Sequence, residues 1–241
     1  MQKIVILGAT GGMGSAAARL LTAKGYALHL AGRDEIMLKA LASELGASMT
    51  LGDVTDPALF ERVAVDAGDT VSGLLYAVGT LNLKRINRLS VEDFHKDYQI
   101  NAIGAALAVQ SLLPALKNNP SPSSVVFFTS VAAEQGFASH ASMSMAKGAV
   151  RGLTLALAAE LAPKIRVNAI SPSLTATPMA ESLLSNEKMV EAISKLHALE
   201  RLGTAEDMAA LAAFLLSDES GWITGQIIGV DGGRSTLRTK S

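Results

Sequence analysis

The sequence predicts an α/β protein in which a parallel sheet carries helices on both faces. Short aliphatic or β-branched runs alternate along the chain with longer segments of helical periodicity. A glycine-rich turn directly follows the first run, as at the start of a strand–turn–helix unit. The 241 residues, 49% of them hydrophobic, suffice for one large core, and no linker, repeat or domain boundary interrupts the pattern.

Seven runs are predicted to be strands and six segments to be helices. The strands are 4–7, 27–31, 48–51, 71–76, 125–129, 166–170 and 227–230, and the helices are 13–22, 34–45, 57–67, 90–117, 141–161 and 204–217. Asp34 and Ser90 suit helix N-caps, and Gly46 suits a C-cap. Pro163 and Pro172 fall where a helix and a strand should end.

Composition and charge narrow the function classes. The net charge of −1 and the pI near 6.4 give no electrostatic reason for binding nucleic acid or an anionic membrane. The absence of cysteine excludes disulfides and thiolate catalysis and fits a reducing cytoplasm. The four histidines show no metal-ligand spacing, the N-terminus lacks a signal-peptide pattern, and no apolar stretch reaches the roughly 20 residues of a membrane span. We therefore expect a cytoplasmic protein without a metal site.

The turn after the first strand has the glycine spacing of a dinucleotide-binding loop. Gly8 permits the tight turn, Gly12 lets the backbone approach a pyrophosphate, and Gly14 lets the helix pack closely on the strand. The free N–H groups and the positive dipole end of the following helix favour phosphate. The alternative is a glycine-rich turn that binds no ligand, but the position directly after an N-terminal strand favours a cofactor.

The end of the second strand indicates which cofactor binds. A carboxylate there would bind the 2′-hydroxyl of NAD, whereas a basic residue accommodates the 2′-phosphate of NADP. The chain has Gly32-Arg33 and no strand-end acid, so we predict NADP(H), held by charge-assisted bonds from Arg33. The alternative is that Arg33 is a solvated residue at a helix start. Asp53, after the third strand, could accept from an adenine amine; its alternative role as a helix cap suits Asp56 better.

A candidate reaction centre follows the apolar run at 125–128. Ser130 should lie at the carboxyl end of this strand, where open α/β sheets bind ligands, and Lys147 should lie in the first turns of the next helix. Met143 comes four residues before Lys147 and shares its helix face. A hydroxyl and a lysine beside a crevice suit catalysis, but the third member of the group is a methionine.

Further motifs extend these signals along nearly the whole chain. They are Gly8-xxx-Gly12-x-Gly14, Asp53-Val54, Asn101 within residues 98–102, Ser130 and Lys147, Arg166-Val-Asn-Ala-Ile-Ser-Pro172, Thr177-Pro-Met, Glu200-Arg-Leu-Gly203, and Ile223-Thr-Gly-Gln226 followed by Val230-Asp-Gly-Gly233. With these residues the chain resembles the short-chain dehydrogenase/reductase family. The length and the C-terminal motif favour the short form of the family over its epimerase-like branch, which the glycine spacing also fits.

The resemblance implies a single doubly wound, Rossmann-type domain over residues 1–241 with a seven-stranded parallel sheet, and hydride transfer between a nicotinamide cofactor and a carbonyl or alcohol. In the family the serine, here Ser130, polarises the substrate oxygen, and a tyrosine exchanges the proton. The lysine, here Lys147, lowers the tyrosine pKa and binds the nicotinamide ribose, and the asparagine, here Asn101, holds a relay water. Residues expected to contact the cofactor are Gly8, Thr10, Gly11, Gly12, Met13, Gly14, Arg33, Asp53, Val54, Ala77, Val78, Gly79, Asn101, Lys147, Pro172, Thr175 and Thr177.

The resemblance also implies a mobile lid over a small-molecule substrate, here at residues 177–202, and a homotetramer or dimer. Apolar residues recur in the lid at roughly helical spacing, which suggests an apolar substrate wall, although the same residues could pack on the core. The helix at 141–161 is richer in small and apolar residues than one buried face requires, which supports the oligomer.

Four positions depart from the family pattern. Met143 occupies the place of the catalytic tyrosine, Asn-Asn-Ala-Gly after the fourth strand reads Tyr76-Ala-Val-Gly79, Pro-Gly after the sixth reads Pro172-Ser173, and the threonine that opens the glycine motif is Leu7. The first departure affects the chemistry, because a thioether neither donates nor accepts a proton at neutral pH. General acid catalysis is typically worth roughly 10²–10⁴ in rate.

Other residues could replace the missing proton donor. The sequence offers His140, Ser142, Ser144, Tyr76 and Tyr98, but a packing or surface role is the simpler interpretation of each. Two functions remain. The favoured one is an NADP(H)-dependent oxidoreductase that uses another donor, a water chain or an activated substrate. The alternative is a catalytically impaired NADP(H)-binding protein that acts as a sensor or a partner subunit.

Overall fold

A seven-stranded parallel sheet forms the centre of the computed structural model, which describes residues 1–238. The strands of this sheet, and two short strands that pair only with each other, are β1 (Lys3–Leu7), β2 (Ala27–Gly32), β3 (Ser48–Leu51), β4 (Gly73–Tyr76), β5 (Ser123–Phe128), β6 (Ile165–Pro172), β7 (Thr175–Ala176), β8 (Gly203–Thr204) and β9 (Ile227–Val230). The sheet order is β3-β2-β1-β4-β5-β6-β9. The chain reverses direction across the sheet between β1 and β4, and the crevice for a ligand is expected there.

Helices cover both faces of the sheet. They are α1 (Gly12–Ala23), α2 (Glu35–Leu45), α3 (Ala58–Ala67), α4 (Val91–Tyr98), α5 (Gly104–Asn118), α6 (Ala141–Leu161), α7 (Glu181–Leu184), α8 (Glu187–Ser194) and α9 (Ala205–Leu216). One core cluster joins α1, α2 and α9 to the sheet, and a second joins α3, α5 and α6 to its other face. The predicted doubly wound α/β domain is therefore confirmed.

Side chains alternate between the two cores along each central strand. In β1, Ile4 and Ile6 pack toward α1 and α9, whereas Val5 and Leu7 pack toward α3 and α5. Because both faces are covered, the strand is apolar at nearly every position. This explains why the sequence shows continuous apolar runs and not the alternation of a half-exposed sheet.

The predicted strands and helix caps are confirmed, with shifts of a few residues at some ends. The Asp34 carboxylate accepts from the Met37 amide at 2.9 Å, and Ser90 forms a capping box with Asp93. Gly46 ends its helix in the left-handed region, with φ of 62°. The predicted ends at the two prolines also hold, since α6 stops at Leu161 and β6 stops at Pro172.

The predicted helix 90–117 is not one α-helix. A π-helical segment, Gln99–Ile103, separates α4 from α5, and it contains Asn101. The short strands β7 and β8 were not predicted, and the roughly helical spacing of apolar residues in the lid corresponds to two short helices, α7 and α8, that were not predicted individually. We expected no apolar stretch long enough to span a membrane, but the continuous helical run Val91–Asn118 is long and apolar enough by length and composition. Its apolar side forms part of the core.

Candidate functional site

The glycine turn after β1 has the geometry that a close phosphate approach requires. Gly8 adopts φ of +80°, a conformation that disfavours other residues. A side chain at Gly14 would run into the Gly8 carbonyl, so its absence lets α1 pack on the turn. The first amides of α1 have no partner one turn earlier in the helix and point out of its N-terminus.

Gly12 has a further packing role that the sequence did not show. A Cβ there would lie 2.8 Å from Thr177 Cγ2, so the loop after β6 rests on the glycine turn. Met13 is partly buried against the core beneath this turn. Contact between these residues and a pyrophosphate stays a prediction.

An open cavity of about 670 Å³ runs along the carboxyl ends of β1, β2, β3 and β4. The cofactor residues predicted from the sequence that line it are Gly8, Thr10, Gly11, Arg33, Asp53, Val54, Ala77, Val78 and Gly79. Lys84, Asp93 and Asp97 line the cavity as well, and the sequence did not indicate them as site residues.

Arg33 lies at the rim of this cavity and is available to a ligand. Its side chain is 79% exposed and has only a 3.6 Å ion pair with Asp53. Such a loose, exposed pair contributes little to stability. The Asp53 carboxylate accepts from the Thr55 amide at 2.9 Å, and this bond, with a smaller contribution from Arg33, lowers the pKa of Asp53. Asp53 is therefore held as a charged acceptor.

Lys147 is buried on α6, close to Gly79 in the cavity wall. Its Nζ donates to the Phe128 carbonyl at 2.8 Å, which fixes the ammonium at the end of β5. Burial lowers the pKa of Lys147 to about 8. A Cβ placed on Gly79 would lie 3.3 Å from Lys147 Nζ and 3.2 Å from Asn101 Oδ1, so both polar atoms face the same small space.

Ser130 lies just after β5, as predicted, and is partly buried. Its Oγ accepts from the Ala132 amide at 3.1 Å, which leaves the hydroxyl proton free for another acceptor. The preceding Thr129 donates to the Lys147 carbonyl at 3.1 Å. This bond ties the strand end that carries Ser130 to the helix that carries Lys147.

Asn101 is buried in the π segment. Its Nδ2 donates to Thr80 Oγ1 at 2.9 Å and to the Asp97 carbonyl at 2.8 Å. Among residues 1–238, its Oδ1 has no hydrogen-bond partner. A buried acceptor without a partner indicates a place for a bound group or water.

Met143 is buried on α6, one helical turn before Lys147. Three of the alternative donors are engaged elsewhere: Tyr76 donates to the Ile100 carbonyl, Ser142 donates to Asp97, and His140 bonds the Ala138 carbonyl at 2.7 Å. Burial also raises the pKa of Tyr76. Ser144 lines a separate outer cavity beside Arg85, and the Tyr98 side chain is largely exposed.

Residues 172–177, at the end of β6 and in the loop after it, contact the glycine turn through Thr177, but none of them lines the cavity. Pro172 ends the strand, and Thr177 covers Gly12. Thr175 is buried and donates to the Ser173 carbonyl at 3.0 Å, so its hydroxyl is occupied within the loop. Ser173 in turn bonds Nε2 of His197, in the predicted lid, at 2.8 Å.

No residue of the predicted lid joins the two core clusters, although Ala180 and His197 in it are buried. α8 has no buried residue, and Met189, Leu196 and Leu199 are exposed. Met179, at the start of the lid, lines the cofactor cavity. These exposed apolar side chains favour the substrate-wall interpretation over packing on the core.

Three comparisons place this geometry among known proteins. A family model described as "Enoyl-(Acyl carrier protein) reductase" matches residues 8–235. The protein "Short-chain dehydrogenase/reductase SDRA" of Arabidopsis thaliana is 43% identical over 141 residues, which span 57% of this chain and 53% of that protein. The chain thus spans about half the length of that relative. A tropinone reductase homolog of the same plant is 33% identical over 239 residues, 95% of this chain and 90% of that protein.

A solved structure matches over nearly the full length. It is a short-chain dehydrogenase/reductase of Brucella melitensis, described as a glucose/ribitol dehydrogenase, with a TM-score of 0.92 and 32% identity over 98% of this chain and 97% of that one. The chain therefore belongs to the short-chain dehydrogenase/reductase family. This is a family of oxidoreductases that bind a nicotinamide cofactor, NAD or NADP.

The residues present fit such a cofactor. The glycine turn is open to phosphate, and the cavity continues past Arg33 and Asp53 and includes Gly79, beside which Asn101 Oδ1 has no partner among the described residues. A side chain at Gly79 would fill the space between Asn101 and Lys147, and glycine keeps it free.

Proposed function

We propose that the protein is an NADP(H)-dependent oxidoreductase acting on a carbonyl or alcohol, with a proton donor other than the family tyrosine. The observation that carries the proposal is the convergence of Asn101 Oδ1 and Lys147 Nζ on Gly79, in the cavity wall, with Ser130 on the adjoining strand end. Function depends on the site more than on the fold, and only the tyrosine of this site is missing.

The side chains would divide the work as follows. NADPH supplies a hydride when bound. Ser130 would donate a hydrogen bond from its hydroxyl to the substrate oxygen and stabilise the charge that develops there, while the transferred proton would come from another donor or a water chain. Lys147, held by the Phe128 carbonyl, would bind the nicotinamide ribose, and Asn101 would hold a water against its unpaired oxygen. Met143 would add apolar bulk beside the substrate and exclude solvent.

The preference for NADP(H) is supported by Arg33. Its guanidinium is exposed at the cavity rim, and the strand end has no carboxylate that would bind the 2′-hydroxyl of NAD. Asp53 would hold the adenine amine. In this proposal Arg33 exchanges its loose pair with Asp53 for the 2′-phosphate.

The lid, residues 177–202, would close over an apolar substrate. Support comes from the exposed side chains of Met179, Met189, Leu196 and Leu199, which would otherwise face water. Two contacts would anchor the ends of this segment: the packing of Thr177 on Gly12 and the hydrogen bond between His197 and Ser173.

A second candidate function is an NADP(H)-binding protein without turnover, acting as a sensor or a partner subunit. One observation favours it: Met143 fills the tyrosine position, while Tyr76 and Ser142 already donate to other groups. Under this interpretation the cofactor contacts persist and the chemistry is lost.

A homotetramer or dimer is also part of the proposal. Met145, Gly152, Leu155, Ala156 and Ala159 form an exposed stripe of small and apolar residues along α6. A second helix could approach such a stripe closely.

The test combines binding with turnover. We expect NADPH to bind tightly by fluorescence and to be consumed slowly against a panel of ketones, aldehydes and α-diketones. Binding without consumption of any of them, with hydride transfer also undetectable by deuterium incorporation from labelled NADPH, would favour the sensor interpretation.

A further inference from the structure

The π segment changes which backbone groups around Asn101 are paired. The Gly104 N–H donates to the Gln99 carbonyl, five residues back. In an α-helix that N–H would have gone to the Ile100 carbonyl, four residues back. The Ile100 carbonyl, directly before Asn101, therefore needs another donor, because it is buried.

Tyr76 supplies that donor. Its side chain is 2% exposed at the end of β4, and its hydroxyl donates to the Ile100 carbonyl at 2.6 Å. Gly104 makes this contact possible, because a Cβ there would collide with the Tyr76 hydroxyl. The tyrosine that departs from the family pattern is thus bonded to the turn that carries Asn101.

Asp97 fixes the side chain of the same asparagine. Thr80 donates to Asp97 Oδ1 at 2.7 Å, and the same hydroxyl accepts from Asn101 Nδ2 at 2.9 Å. The amide group is thereby oriented with its nitrogen toward Thr80. Its oxygen is left to face the space beside Gly79 and Lys147.

The same carboxylate also joins α6 to this group. Ser142, the neighbour of Met143, donates to Asp97 Oδ2 at 2.6 Å, and Asn82 donates to it at 3.3 Å. Asp97 is only 2% exposed and forms no ion pair among the described residues. A buried carboxylate without a cation is costly to fold, and here its oxygens accept from two side chains of the loop after β4 and one of α6.

We propose that Tyr76 and Asp97 are positioning residues that together hold Asn101: Tyr76 fixes its backbone through the Ile100 carbonyl, and Asp97 fixes its amide through Thr80. The proposal rests on the proposed function in assigning Asn101 a role beside the cofactor. Tyr76 stands where the family motif has an asparagine. In this proposal that departure serves the site as well as the packing of the strand.

The test uses four single variants of the full chain. Tyr76→Phe removes only the hydroxyl, and Tyr98→Phe is its control because that side chain is largely exposed on α4. Thr80→Val removes the hydroxyl that links the Asp97 carboxylate to the Asn101 amide and leaves the direct bond from Asn101 to the Asp97 carbonyl, and Thr80→Ser keeps a hydroxyl at this position. The measurements are amide hydrogen exchange of residues 99–104, NADPH affinity, and kcat and KM with 2,3-butanedione.

We expect Tyr76→Phe to speed exchange at residues 99–104 by about tenfold, the equivalent of one lost hydrogen bond, while Tyr98→Phe leaves it unchanged. Tyr76→Phe and Thr80→Val should each lower kcat by about tenfold, with KM and NADPH affinity within about threefold of wild type, and Thr80→Ser should restore kcat. Wild-type exchange in Tyr76→Phe, or equal loss in Thr80→Val and Thr80→Ser, would overturn the proposal.

Failure of the proposed function gives a different result. In that case the wild type binds NADPH and turns over no carbonyl. The exchange measurement then still decides whether Tyr76 holds the π segment, and NMR of the Asn101 side-chain amide in Thr80→Val and Thr80→Ser decides whether Thr80 orients it. An amide signal unaffected by both Thr80 variants would contradict the claim that Asp97 fixes the Asn101 amide through Thr80.

Discussion

At the scale of single residues, Lys147 and Met143 carry the proposed departure from the family's chemistry. Lys147 is buried, held by one carbonyl, and its pKa is lowered to about 8. In the family such a lysine tunes a tyrosine, but the residue one turn earlier here is a thioether that has no proton to tune. In the proposed function, Lys147 therefore serves the cofactor and not a tyrosine.

The residue that should decide cofactor preference is Arg33. Arg33→Ala should weaken NADPH binding by about ten- to a hundredfold, because a charge-assisted phosphate contact is worth on the order of 1–3 kcal/mol, and should leave NADH binding unchanged. Fluorescence titration of both cofactors measures this. Lys39→Ala, which removes another exposed cation on α2, is the control. Equal affinity of the wild type for NADPH and NADH would contradict the assignment.

His29 should make stability depend on pH. It is fully buried between Ser48 and Thr50, and burial lowers its pKa to about 4 from 6.5. Between these values the unfolded chain binds more protons, so stability falls as pH drops from about 6.5 toward 4, by roughly 2–3 kcal/mol in total.

Urea unfolding at pH 7.5, 6 and 5 measures that loss. The His29→Asn variant should lose less stability over the range than the wild type, whereas His95→Asn, which changes an exposed histidine on α4, should follow the wild type. Parallel curves for the wild type and His29→Asn would show that His29 does not cause the pH dependence.

At the scale of elements, the packing of α1 on the glycine turn should be sensitive to one methyl group. In Gly14→Ala the new Cβ would meet the Gly8 carbonyl, a backbone atom that cannot move aside, so α1 must shift. We expect a loss of about 1–3 kcal/mol in the free energy of unfolding and weaker NADPH binding. Gly136→Ala is the control, because its Cβ would meet no atom within 4 Å. Wild-type stability in Gly14→Ala would refute this account of the turn.

The sequence predicted the seven strands and most helices because both sheet faces are buried, which produces long apolar runs with capped helices between them. It did not predict the π segment, since residues 102–116 are almost all small or apolar and hide the phase shift of about 100° that one extra residue introduces. The motifs located Asn101, Ser130 and Lys147, but no local pattern indicated that Asp97 joins Thr80 to Ser142. Those residues lie far apart in the chain. The one local signal was the spacing of Asp97 and Asn101, which are four residues apart and therefore neighbours on a helix.

At the scale of the whole molecule, the cavity, Ser130 and the start of the segment 177–202 lie at the carboxyl ends of the strands, so the proposed cofactor site, reaction centre and lid share one edge of the sheet. The opposite surface of α6 carries the exposed stripe that includes Met145 and Leu155. The site and the proposed contact between subunits therefore share one helix.

The oligomer can be tested directly. Light scattering at micromolar concentration should show about 100 kDa for a tetramer, or about half of that for a dimer, given a chain of 25.0 kDa. Leu155→Lys should shift the mass toward the single chain, because it places a charge in the stripe. Val65→Lys, a change at an exposed position on α3, should not. A 25 kDa particle for the wild type would contradict the proposed assembly.

The most direct test of the central claim is turnover of Met143→Tyr beside the wild type, with NADPH affinity measured on both. Met143 lies one turn before Lys147, so a phenol there restores the family arrangement. We expect similar NADPH affinity and a gain in carbonyl turnover of roughly 10²-fold or more, the value of a positioned general acid. Robust wild-type turnover that falls in Met143→Tyr, or no gain despite tight NADPH binding, would contradict the claim that only the proton donor is missing.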